Sequence, residues 1–317
     1  MMPTPAASPE REIVSLDGHL LDSMVLPKVL DAIVDAGATY EILELDVGAT
    51  RIDRSRIRLE LSCRDEGALA VLLEGLQVHG VNVEGDENAE LVEADQDGVL
   101  PEAFYSTTNF ATAVRLDGHW VNVERPEMDC AIVVGPGDTR ALTVPMHRAR
   151  AGDRVVVGMR GVRVERPVMS LGGREFEFMS SDVSSEKPKG VMIERVAASI
   201  RRGRQGGGAV LAVCGPAVVH TGAAPALAAM VREGWIQVLF AGNGFATHDI
   251  ESSVLGTSLG IPLSGDVPSE HGHANHLRVI NTVRRFGSIR AAVAAGWLRS
   301  GVLFECVRAG VPFVLGG

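Results

Sequence analysis

Between Gly208 and Ser258 the chain passes repeatedly from an apolar run into a glycine-bearing loop. One run closes on Gly215-Pro216. A small-residue segment ends at Thr221-Gly222, and Ala241 leads into Gly242-Asn-Gly-Phe-Ala-Thr-His-Asp-Ile-Glu251, with Gly256-Thr-Ser258 close behind. An open parallel sheet presents its crevice to a nucleotide through such transitions, because ligands settle outside the carboxyl ends of the strands. The G-x-G-x-x-G fingerprint of dinucleotide sites is missing, so the pattern points to a cofactor crevice of unconventional sequence.

The flanking periodicities extend that sheet. Val191–Arg202 reads as a helix, Ala209–Cys214 as a buried strand, Ala223–Glu233 as a helix and Ile236–Phe240 as a strand. Helices follow around Ile250–Leu255, Ala274–Phe286 and Ile289–Arg299, then a strand at Pro312–Leu315. Strand–helix alternation predicts a parallel, doubly wound sheet. Nearer the N-terminus, strands at Glu12–Asp22, Tyr40–Val47, Arg56–Cys63 and Val81–Glu84 interleave with helices at Val25–Ala36 and Glu66–His79, the β-α-β-β-α-β order of a ferredoxin-like unit. From Leu91 to Val168 helical period fades. Short β-rich runs (112–116, 120–123, 131–134, 154–157 and 161–164) alternate with Asp-Gly and Gly-Pro-Gly-Asp turns, which predicts a small sandwich or barrel. The expected organisation is therefore α/β: a ferredoxin-like α+β domain over 12–90, a β-rich domain over 91–178, and a Rossmann-like domain over 179–317.

With 317 residues, several domains are expected. No uninterrupted apolar run approaches the ~18 residues of a membrane span, and Met1–Arg11 has no apolar core of a signal peptide. Four scattered cysteines, without CxxC, predict reduced thiols in a cytoplasmic protein. The first hundred residues carry 21 acidic side chains against 7 basic ones, and the remainder 19 against 23. Nucleic-acid binders show a basic face. The mildly cationic remainder suits an anionic cofactor better than a polymer. The acidic excess equally describes a solubilising surface.

Several constellations could carry chemistry. In Gly215-Pro-Ala-Val-Val-His-Thr-Gly222, glycines would let backbone N–H groups approach a pyrophosphate beside a helix N-terminus. A tight turn without ligand would use the same residues. Asp249 and Glu251 are available for ribose hydroxyls, later than the usual position; Asp249 could instead cap a helix. Gly256-Thr-Ser258 adds hydroxyls and amides. The cofactor set is then Gly215, Pro216, His220, Thr221, Gly222, Gly242, Asn243, Asp249, Glu251, Gly256, Thr257 and Ser258. Ser180-Ser-Asp-Val-Ser-Ser-Glu-Lys-Pro-Lys189 holds two of the chain's three lysines. In a chain that otherwise uses arginine, a lysine there suggests a compact, titratable ammonium. His271-Gly-His-Ala-Asn-His276 lacks a carboxylate or thiolate at a metal-ligand interval, and reads as contacts to cofactor or substrate rather than a metal site. Cys306 has no catalytic partner in sequence and reads as packing.

Together, Phe178–Pro188, Gly215–Gly222, the Gly-Asn-x-x-Ala-x-His-Asp-Ile-Glu run to Glu251, Gly256-Thr-Ser-Leu-Gly260 and His273–Ile280 resemble the archaeal-type ornithine cyclodeaminases. The same domain forms the C-terminal part of cyanobacterial arginine dihydrolase/ornithine cyclodeaminase fusions. The N-terminal part is similar to the conserved region of lysine-ketoglutarate reductase/saccharopine dehydrogenase (LOR/SDH) enzymes, and the cofactor domain to the NAD site of deoxyhypusine synthase. The resemblance implies a bound NAD⁺ used catalytically to convert L-ornithine into L-proline and ammonia. It places Asp182, Glu186 and Lys187 in substrate and proton work, with Ser184, Ser185, His273 and His276 on the substrate. It also implies a further loop and helices beyond the position of Gly317. A homo-oligomer, a dimer through the N-terminal domains, is expected from the fold type. An amino-acid dehydrogenase of saccharopine type and an inactive NAD-binding regulatory module are the alternative readings.

Overall fold

The computed structural model describes residues 10–18, 25–48, 53–77, 79–165, 189–258, 261–262 and 275–316. The chain divides into two compact units, one of residues 1–169 with 259–285 and one of 170–258 with 286–317.

In the first unit, β1 (Glu10–Gly18), β2 (Thr39–Asp46), β3 (Ser55–Cys63) and β4 (Asn82–Val83) form an antiparallel sheet in the order β2-β3-β1-β4. With α1 (Val25–Asp35) and α2 (Glu66–Gln77), this is the ferredoxin-like arrangement expected from the sequence. The physical cause is visible in the periods. Val25, Val29, Ala32 and Ile33 share one stripe of α1, and Leu69, Leu72, Leu73 and Leu76 one stripe of α2. Both close on Ile57, Leu59 and Leu61 of β3 in a single core. Asp65 Oδ1 accepts the Ala68 N–H at 2.8 Å and so starts α2. The edge strand β2 is exposed along its whole length, Ile42, Leu43 and Leu45 included.

A second sheet of the same unit has seven strands: β5 (Glu90–Glu93), β6 (Ala111–Leu116), β7 (His119–Glu124), β8 (Ala131–Val134), β9 (Ala141–Val144), β10 (Arg154–Val157) and β11 (Val162–Glu165). Their order is β11-β6-β7-β9-β8-β10-β5. This is the expected β-rich unit as one curled sheet: Val162 and Val164 of β11 share a buried core with Val156 of β10, from the other end of the strand order. Its pairs are antiparallel except β7 with β9. Strands β5 and β9 are defined by their ladder partners β10 and β8.

In the second unit, after α3 (Lys189–Gln205), strands β12 (Leu211–Cys214) and β13 (Val238–Gly242) pair in parallel. Between them lie α4 (Ala217–His220) and α5 (Ala224–Arg232). Then come α6 (Asn243–Leu255), the two-residue strands β14 (Thr257–Ser258) and β15 (Ile261–Pro262, already in the first unit), and α7 (Asn275–Phe286). Finally α8 (Ile289–Ala294) and α9 (Val302–Ala309) lead to β16 (Phe313–Gly316), which lies parallel to β13 on the side away from β12. One face of this sheet is covered, with Leu239, Phe245, Val302 and Leu303 buried. Across the other, Val213, Phe240 and Val314 stand in register, 76%, 42% and 56% exposed.

Residues 259–285 belong to the first unit, although the alternation in sequence assigns them to the Rossmann-like region. The reason is a set of polar contacts made by α7. The Asn281 side chain brackets the Leu100 backbone, accepting its N–H at 2.8 Å and donating to its carbonyl at 2.9 Å. Arg285 reaches Asp95, Arg284 donates to the Gly98 carbonyl, and Leu277 enters a buried cluster with Leu100 and Phe104.

Candidate functional site

Cys214 pairs with Ala241, and Gly242 with Gly316, so the strand ends Gly215, Gly242 and Gly316 lie side by side. Helix α6 begins at Asn243, immediately after β13. A helix N-terminus carries the positive end of the helix dipole and presents backbone N–H groups, the arrangement that holds pyrophosphates. The Gly215 and Gly244 loops touch: a Cβ at Gly244 would lie 3.1 Å from Pro216 Cγ, while one at Gly215 would meet open space. The cradle therefore needs a small residue at 244 and leaves room above 215.

His220 sits at the end of α4, its ring centroid 4.8 Å from that of His248. Partial burial first, and then the neighbouring His248, hold His220 below the ordinary 6.5, so it is a neutral ring near pH 7. His248 Nδ1 lies 3.2 Å from Glu251 Oε2. The Thr221 hydroxyl donates to the Ala217 carbonyl at 2.7 Å, and Gly222 takes the positive φ of 74° that ends this turn.

Two sequence-based assignments are corrected here. Asp249 is 1% exposed, and its carboxylate accepts the N–H groups of Val302 (2.9 Å) and Leu303 (2.8 Å). It caps α9, and is not free for a ribose. Glu251 is 0% exposed and faces His248. The cause is that α6 starts seven residues earlier than its period suggested, so both acids lie within a helix buried on more than one side instead of in a loop. Gly256 ends that helix in a left-handed conformation. With a rise of 1.5 Å per residue, it lies about 20 Å from Gly242 and outside the cradle, and Thr257 and Ser258 follow it.

Gly316 was not singled out from sequence; its place beside Gly242 comes only from the β13–β16 register. Asp182, Ser184, Ser185, Glu186, Lys187 and His273 lie outside the described residues. His276 Nε2 is 3.8 Å from Asp129 Oδ2. Cys306 is fully buried, and burial pushes its thiol up to about 12, which keeps it protonated and inert.

Comparison with known proteins identifies this arrangement. Residues 11–110 match the LOR/SDH bifunctional enzyme conserved region, 111–193 the first region of the C-terminal part of arginine dihydrolase ArgZ-like proteins, and 194–317 its Rossmann fold. The ornithine cyclodeaminase of Methanocaldococcus jannaschii is 46% identical over 310 residues, covering 96% of this chain and 73% of that protein. The chain belongs to the ornithine cyclodeaminase family. A bifunctional arginine dihydrolase/ornithine cyclodeaminase, AgrE, from a Nostoc species is 40% identical, and the chain spans 45% of its length. The crystal structure of the ternary complex of AgrE with ornithine and NAD⁺ superposes with a TM-score of 0.84 at 37% identity, over 97% of this chain and 44% of that one. Within this cyclodeaminase family, then, the C-terminal region is a Rossmann fold. The strand-end glycines of the present chain fit a dinucleotide on their own geometry.

Proposed function

We propose that this chain converts L-ornithine to L-proline and ammonia with NAD⁺ as a recycled cofactor. The observation that carries the reading is the alignment of Gly215, Gly242 and Gly316 at the ends of three parallel strands beside the N-terminus of α6. The relatives' names supply the substrate. When bound, NAD⁺ supplies a hydride acceptor for Cα–H oxidation and returns the hydride to the cyclic imine. The backbone N–H groups of Asn243 and Gly244 would hold its pyrophosphate, with Gly215 and Pro216 as the opposite wall and His220 at the rim. Lys187, with Asp182 and Glu186, is assigned on sequence grounds to hold or move protons on the substrate amines and carboxylate. Self-association through the ferredoxin-like sheet is supported by the exposed apolar side chains of β2. The decisive experiment is incubation with L-ornithine and substoichiometric NAD⁺. Proline and ammonia accumulating without net NADH supports the reading. NADH formed in step with ornithine consumed would replace it by a dehydrogenase, and NAD⁺ binding without turnover by a regulatory module.

A further inference from the structure

Helix α6 buries three polar side chains within one turn, His248, Asp249 and Glu251. The start of α9 accounts for Asp249. Glu251 stands eight residues beyond Asn243, about 12 Å along the helix at 1.5 Å per residue, too far to reach a pyrophosphate at the helix start. A carboxylate is costly to bury and persists where it holds a partner in a defined geometry. Here Oε2 lies 3.2 Å from His248 Nδ1. Because a carboxylate can only accept, the imidazole carries a hydrogen on Nδ1, which fixes its tautomer. The bond also selects one ring plane, where the χ2 of a histidine would otherwise range widely. Against that ring lies His220, the centroids 4.8 Å apart and the planes tilted by 55°, within the range of an aromatic contact.

His220 ends α4, the single turn that directly follows Gly215-Pro216. One helical turn does not sustain itself, since nucleation is unfavourable, so the position of α4 is set by what packs on it. Val219 is buried beneath the turn, and the exposed His220 rests on the His248 ring. The same turn places Pro216, whose Cγ a Cβ at Gly244 would meet at 3.1 Å. We infer that Glu251 and His248 are positioning residues for the cofactor cradle. The carboxylate orients the imidazole, the imidazole seats His220, and His220 holds the 215–222 loop at the spacing from α6 that admits a dinucleotide. The inference rests on the cradle reading for what the loop holds, not for the coupling of Glu251 to the loop.

The test uses the full chain and follows the loop and the cofactor separately. Amide hydrogen exchange without NAD⁺ reads the loop, where the N–H groups of residues 218–223 bond within the turn. Titration with NAD⁺ reads the cradle. Glu251→Ala should speed exchange at 218–223 at least about tenfold and raise the NAD⁺ Kd at least about tenfold. Glu251→Gln, whose amide oxygen still accepts from Nδ1, should remain close to wild type in both. His220→Ala, at an exposed position, should loosen the loop as Glu251→Ala does, and the double variant should be no worse than either, because the carboxylate acts through that ring. An unchanged NAD⁺ Kd in Glu251→Ala overturns the inference, as do a Glu251→Gln variant as impaired as Glu251→Ala, or additive losses in the double variant. If Glu251→Ala does not fold, His220→Ala decides: wild-type exchange at 218–223 overturns the inference, and faster exchange beside an intact Glu251→Gln supports it. If wild type does not bind NAD⁺, the cofactor reading fails, and exchange alone decides whether Glu251 holds the loop.

Discussion

Asp249 and Leu303 are 54 residues apart in the chain, and the carboxylate of the first accepts the backbone N–H of the second at 2.8 Å. The other carboxylate oxygen takes the Val302 N–H, so a single buried side chain satisfies two of the unpaired donors that open α9. Asp249→Ala would leave both N–H groups buried and unpaired. A loss of about 2–4 kcal/mol is expected, at about 1–3 kcal/mol for each unsatisfied group with partial relaxation, and is read from urea unfolding. A stability within 0.5 kcal/mol of wild type, roughly the effect of a neutral surface change, would remove this account of α9.

Gly301 is bound to the same relationship. It sits at φ 101°, and a Cβ there would run into Ser253 Oγ, which bonds to the Asp249 carbonyl, and lie 3.0 Å from the Asp249 carboxylate. Gly301→Ala therefore strains the backbone and pushes the cap aside. It should cost more than the roughly 1 kcal/mol of a simple glycine replacement, and Gly301→Ala/Asp249→Ala should cost less than the sum of the two. Additive losses in that double-mutant cycle would argue against a shared cause.

The ferredoxin-like sheet carries a pH-dependent pair. Arg58 grips Glu84 with bonds of 2.8 to 3.0 Å, and hydrogen bonding to it holds the Glu84 carboxyl below its ordinary 4.5. A depressed carboxylate stabilises the fold above its unfolded value, and that contribution disappears as pH falls through the folded value. Glu84→Gln should thus lower Tm near neutral pH, with the gap between variant and wild type closing below pH 4.5. A gap that stays constant from pH 7 to pH 3 would refute the linkage. The pair is partly exposed, so salt should shrink the gap as well.

Ser288 starts α8, its hydroxyl accepting the Ala291 N–H at 3.1 Å. Ser288→Ala should cost about 1 kcal/mol, visible as a lower midpoint in denaturant with an unchanged slope.

Gly244 reports on the cradle. A side chain there meets Pro216 Cγ at 3.1 Å and narrows the space between the first two loops. Wild type should gain about 2.7 kcal/mol of stability at NAD⁺ a hundredfold above its Kd. Gly244→Val should lose most of that gain while changing the ligand-free Tm little. A full NAD⁺-induced Tm shift in the variant would move the cofactor away from these loops.

Much of the fold was legible because its causes are local. The stripes Val25–Val29–Ile33 and Leu69–Leu72–Leu76 announce helices wherever they are read, and the β-α-β-β-α-β order follows from them. The strand-end glycines of β12 and β13 were equally visible. What escaped the sequence reading depends on distant partners. Helix α9 has no capping side chain beside its start, because its cap is Asp249. Helix α6 opens with Gly242-Asn-Gly, residues of poor helix propensity that read as loop but are tolerated in a first turn. The Glu74–Arg278 pair, 204 residues apart, belongs to no motif and forms where α7 docks against Leu100.

That docking governs the order in which a ribosome can finish the protein. Residues 259–285 return to the first unit between β13 and β16, so the unit begun first is completed only after most of the second has been made. Until α7 emerges, Leu100 and Asp95 wait without their partners, and until β16 emerges, one edge of β13 stays open. Neither unit can be released as a finished bead on a string, as successive domains usually are. The nascent chain therefore holds two half-built units at once, and a pause in translation before residue 275 would leave both exposed to misassembly together.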